Sequence, residues 1–196
     1  MFHLGMWRER MRNALTAMAE GRTPEPPPPL ERQDEFNDAE LANGIGTPLA
    51  DAAARSDHLL AEIIGLYEKL GERPFQWYRW TNSTDAVLAN SYTHPRTHMF
   101  TYLVENGDPE GASQLFETAA PEMEAATENL AVHATARYNV ACARVLQGRV
   151  DEALKELQAA FAKRAELRAH AAKDSDLASL RDDPRFQEMV KTESRL

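Results

Sequence analysis

The chain has 196 residues, 43% of them hydrophobic and 27% charged, which suits one soluble globular domain or two small ones with a sizeable core. With 31 acidic against 22 basic side chains the formal net charge is −9, so no basic stripe exists to attract nucleic-acid phosphates. No apolar run approaches the roughly 20 residues that span a bilayer, no signal peptide is legible, and the single cysteine, Cys142, excludes an internal disulfide and fits a reducing cytoplasm.

The first element predicted is a helix over residues 2–20. Leu4, Trp7, Met11, Leu15 and Met18 recur at spacings of three and four, giving one apolar stripe, and Gly21 sits where a helix ends. His3 lies beside the stripe, one turn before Trp7. This helix starts mid-pattern with no visible cap, which implies that something upstream is missing. Residues 21–47 read as a connector. Pro24 and Pro26 to Pro29 enforce an extended strap, with a short helical turn expected around Asp38 to Leu41. A second helix follows over 48–70, with Leu49, Ala53, Leu59, Leu60, Ile63, Ile64, Tyr67 and Leu70 on one side and Gly71 closing it. His58 has no apolar row and reads as solvated.

Residues 72–83 read as a loop rich in aromatics. Trp77, Tyr78 and Trp80 are expected to pack against the end of a bundle, the alternative being the wall of an apolar pocket. Ser83 or Thr84 can cap a third helix from about Asp85 to Asn106. Pro95 requires that helix to kink or restart at His94. Pro109 opens a helix over 109–128, followed by helices over 129–147 and 149–172, a short helix from Asp176 to Leu180, and a last one from Pro184 to about Val190. Cys142 reads as a small buried helix residue.

Chemistry concentrates in Asn90-Ser91-Tyr92-Thr93-His94-Pro95-Arg96-Thr97-His98. Residues four apart share one helix face, so His94 and His98 can grip one metal ion, each at about 2.0–2.1 Å if it is zinc. A third ligand must come from elsewhere, and His3 is the candidate. Tyr92, Asn90, Glu9 and Arg96 are the polar residues nearest in sequence for supporting or substrate contacts. No carboxylate is clearly placed as a general base.

Two resemblances add to this reading. Residues 3–103 resemble the DinB/YfiT-like family, on His3-Leu4-Gly5-Met6-Trp7-Arg8-Glu9-Arg10, the proline-rich connector and the 90–98 stretch. The resemblance implies a four-helix bundle, here lacking its first helix, with His3, His94 and His98 as ligands to a divalent metal (zinc, nickel, iron or manganese). It implies a metal-dependent hydrolase or a thiol-dependent transferase. Residues 138–160, YNVACARVLQGRVDEALKELQAA, resemble one tetratricopeptide repeat. Gly107 and Gly148 close corresponding helices 41 positions apart, within the range of helical-hairpin arrays, about 34 to 47 residues. The alternative function is therefore a non-catalytic module that binds a protein or peptide through its repeat-like half. The expected fold is all-α: a truncated DinB-like bundle over 1–106 and TPR-like hairpins over 107–196. An incomplete bundle leaves an apolar groove, to be covered by the repeat half or by a second copy in a homodimer. No nucleic acid and no membrane is expected as a partner, and a start read too late would account for the missing helix.

Overall fold

A computed structural model describes residues 1–191. They form ten α-helices, short 3₁₀ and π segments and one two-stranded hairpin, so the fold is all-α in the main. The chain divides into two compact units, Met1–Pro95 and Arg96–Leu196. No helix among the described residues is long and apolar enough to cross a membrane.

In the first unit, α1 (Phe2–Ala19) packs along α3 (Leu49–Leu70). Trp7, Met11, Ala14 and Leu15 of α1 meet Ile63 of α3 in a core completed by Phe75, Trp77 and Ala86. The buried row of α3 is Ala52, Ser56, Leu59 and Ile63, not the wider apolar side expected; Leu49 and Ile64 face solvent. The row turns on Ser56, a polar residue kept inside by the Arg8 guanidinium. Arg8 donates to the Ser56 hydroxyl at 2.8 Å and to its carbonyl at 3.0 Å. Gly21 and Gly71, at φ +70° and +63°, take the positive φ that glycine tolerates where both helices end, as expected.

The structure also corrects the reading in the connector and in the aromatic loop. The connector carries a ten-residue helix, α2 (Gln33–Ala42), where a single turn was expected. It buries no residue. Asp34 and Glu35 favour its positive N-terminal end, while Trp7 Nε1 donates to Asn37 Oδ1 at 3.1 Å and Arg10 pairs with Glu40. The aromatic loop is a hairpin, β1 (Pro74–Trp77) against β2 (Trp80–Asn82), with Phe75 and Trp77 turned into the core. Its tight turn places Tyr78 at φ +53°, a position usually given to glycine or asparagine.

Helix α4 (Ser83–Val87) begins at Asn82, one residue before the expected cap, and Asn82 Oδ1 accepts from the Asp85 amide at 2.8 Å. It runs through a π-helical segment, Leu88–Thr93, into α5 (His94–Glu105). α5 thus begins at His94, the residue at which the sequence required a kink or a restart. The wide π turn precedes the proline, whose ring clashes with a carbonyl four residues back in a regular helix.

In the second unit, Phe100 of α5 stacks on Phe116 of α6 (Pro109–Ala126) at 4.5 Å. Asp108 caps α6 through the Gly111 amide. Helix α7 (Leu130–Leu146) packs on α6 and on α8 (Val150–Lys163) through the small residues Ala134, Ala141, Ala143, Ala153 and Ala160, with Leu157 buried among them. The expected helix over 149–172 breaks at Arg164, whose Nη1 donates to Thr135 Oγ1 at 3.1 Å. The break shifts the apolar register, so α9 (Leu167–Ala171) turns Leu167 and Ala171 into the same core. A 3₁₀ turn (Ser175–Leu180) and α10 (Pro184–Lys191) close the unit with Leu177, Leu180 and Phe186. Cys142 is buried here, and burial pushes its thiol pKa up.

Candidate metal centre

The site begins with Trp7. Its indole is buried in the first unit's core and fixed through Nε1 to Asn37. His3, one helical turn earlier, meets the indole edge-to-face with centroids 6.3 Å apart. His94, the first residue of α5, meets the same indole nearly perpendicularly at 6.2 Å. Trp7 is therefore a common wall that holds both imidazoles. The sequence offered only a weak sign of this role, the spacing of four from His3 to an aromatic.

The two imidazoles converge. His3 Nε2 and His94 Nε2 lie 3.2 Å apart, with the rings at 80° to each other. His98 follows His94 by one turn of the continuous helix α5, within which the division between the units falls. One ring nitrogen from each of His3, His94 and His98 lies within 4.8 Å of the other two. These are the three residues singled out from sequence.

A chemical test of fit follows from these distances. Two nitrogens bound tetrahedrally to one ion at about 2.0–2.1 Å are about 3.3 Å apart, against the observed 3.2 Å. Two neutral imidazoles can also sit this close if one Nε2–H donates to the other. Otherwise the two lone pairs repel unless a cation lies between them. A third ring nitrogen in the same small space makes a set of three possible donors, and an all-imidazole donor set suits zinc, nickel or iron. The residues present therefore fit a divalent metal.

His98 is exposed by surface area, yet partial burial of its ring still lowers its pKa. The shift favours the neutral form, which is the form that binds a metal.

Among the supporting residues expected, Glu9 faces elsewhere. Its carboxylate accepts from Arg55 Nη2 at 2.7 Å and pairs with Arg12 at 3.8 Å, so it joins α1 to α3. Asn90 is buried on the π segment, where Nδ2 donates to the Trp7 carbonyl at 3.1 Å and Oδ1 accepts from the Ser91 hydroxyl at 3.0 Å. Tyr92 and Arg96 are half-buried beside it, on the π segment and the first turn of α5.

Comparisons with protein-family models, with curated proteins and with solved structures gave no match.

Proposed function

We propose that this chain is a divalent-metal-binding protein of the DinB-like kind, with His3, His94 and His98 as the protein ligands. One observation carries this reading: residues 91 positions apart in the chain present their Nε2 atoms to each other at 3.2 Å, beside a third histidine. Three neutral imidazoles leave a divalent ion open positions, where it acts as a Lewis acid toward an electrophile. The chain's own contribution is to hold the imidazoles. Trp7 sets the faces of His3 and His94, and α5 sets the step from His94 to His98. Glu9 is tied to Arg55 and supplies no general base, so a nucleophile is activated without it. This suits either hydrolysis or transfer to a small thiol.

The test is metal analysis of protein purified without chelator. Near one equivalent of zinc, nickel, iron or manganese per chain is expected, lost in His3→Ala and His94→Ala. Turnover of an activated electrophile with and without a small thiol then separates transfer from hydrolysis. Absence of metal after incubation with each ion would end this reading. The chain would then stand as a helical interaction module built on its TPR-like hairpins.

A further inference from the structure

The π-helical turn packs against α1 in the first unit. It costs regular hydrogen bonding, and such turns recur where a helix must re-aim a functional side chain. Here it ends at Thr93, and the His94 amide donates to the Ala89 carbonyl, five residues back. His94 thus takes its place from the wide turn itself. Inside that turn are two buried polar residues, Asn90 and Ser91, both under a tenth exposed. Buried polar groups are kept where they make specific bonds.

Their bonds form a chain toward the site. In a helix one lone pair of a carbonyl serves the amide four residues on, leaving the other free. The Trp7 carbonyl accepts from Asn90 Nδ2 at 3.1 Å. That bond orients the amide, because only its nitrogen end can donate to a carbonyl. Oδ1 then points at Ser91 Oγ, which donates to it at 3.0 Å. One direct bond so links the residue that walls the two imidazoles to the turn that carries one of them. Asn90 lies four positions before His94 and bonds to the residue four positions after His3.

We propose that Asn90 is a positioning residue: by bonding the π turn to the Trp7 carbonyl, with Ser91 locking its amide, it sets the separation of His3 from His94. The inference rests on the metal-binding reading for its purpose, but the geometry it predicts exists without metal.

The experiment therefore has two readouts on the full chain. The first is the ring-to-ring nuclear Overhauser effect between His3 and His94 in metal-free protein. The second is affinity for zinc chloride. Asn90→Asp keeps the shape but replaces the donor with an acceptor facing a carbonyl. Asn90→Asp is expected to lose the ring-to-ring signal and to weaken zinc binding by about 10–100-fold, as loss of a ligand's supporting bond does. Should Asn90→Asp fail to fold, Ser91→Ala serves in its place: it leaves Nδ2 able to donate to Trp7 but removes the bond that holds Oδ1, so the amide is held less firmly, with a weakened ring signal and a smaller loss of affinity expected. A folded Asn90→Asp protein that keeps the ring signal, or binds zinc as tightly as the parent, overturns the proposal, and so does an unchanged Ser91→Ala where Asn90→Asp does not fold. If the parent shows the ring signal and loses it on substitution but binds no zinc, Asn90 positions the pair and the metal reading alone falls.

Discussion

At the scale of single residues, the most exacting position outside the site is Ser56. It is fully buried, and both its hydroxyl and its carbonyl accept from Arg8 Nη1. Arg8 is itself buried, and burial lowers its pKa, although Asp57 at 3.7 Å partly offsets this. A guanidinium stays charged under any such shift, so the cost of burying it is offset by its hydrogen bonds to Ser56 and by Asp57. Removing one acceptor while the charge remains is the expensive change. Ser56→Ala is expected to cost about 1–3 kcal/mol, read as a lower urea midpoint with an unchanged slope. Arg8→Met removes the charge and keeps most of the aliphatic stem, so it is expected to cost less than Arg8→Ala. A Ser56→Ala protein within about 0.5 kcal/mol of the parent would show that the guanidinium finds other acceptors.

At the scale of elements, α2 stands apart because no residue of it is buried. It is joined to α1 by the Trp7–Asn37 hydrogen bond, the Arg10–Glu40 pair and Phe36 within cation–π range of Arg10. Isolated ten-residue helices are marginal in water, so those few contacts decide whether α2 persists. Asn37→Ala with Glu40→Ala is expected to speed amide exchange across Gln33–Ala42 while leaving α1 and α3 protected, since local opening does not require the core to melt. Protection of α2 unchanged by the double substitution would mean that its helix stands without them. The same feature explains why α2 was illegible beyond one turn. It has no apolar stripe to read, whereas α1 and α3 announce themselves through spacings of three and four. The hairpin was hidden differently. Tyr78 stands where a turn glycine would have signalled it, and Phe75 and Trp77 on one face make a short alternation that an aromatic loop mimics. The break at Arg164 depends on a bond to Thr135 of another helix, which no local pattern foretells. The histidines were legible as chemistry, by type and by the spacing of four. The resemblance also grouped His3 with them, but the 3.2 Å separation of His3 from His94 was not legible, because it depends on the register of the π turn, and a bond from residue 94 to residue 89 leaves no mark in composition.

At the scale of the whole molecule, two units each have their own core, and the candidate ligands lie at the start of α1 and the start of α5. A metal that bridges those helices binds the folded chain and not the unfolded one, so its affinity becomes stability. At 100 times the dissociation constant the gain is about 2.7 kcal/mol, or about 5–10 °C in melting temperature for a chain of this size. Zinc chloride is expected to raise the melting temperature by that order, a chelator to reverse it, and His3→Ala to abolish the rise while leaving the metal-free melting temperature nearly unchanged. The effect must also fade in acid. Ligation needs neutral imidazoles, so as pH falls through about 6.5, the ordinary histidine pKa, protons compete with the ion. His98 is lowered by burial, so in the folded chain it stays neutral further down than in the unfolded one. The unfolded state therefore takes its proton first, and metal-free stability also declines as pH drops below about 6.5. The rise on zinc is thus expected to be full at pH 7.5 and largely gone at pH 5.5. A rise of equal size at both values would place the zinc on carboxylates of this acidic surface rather than on the histidines.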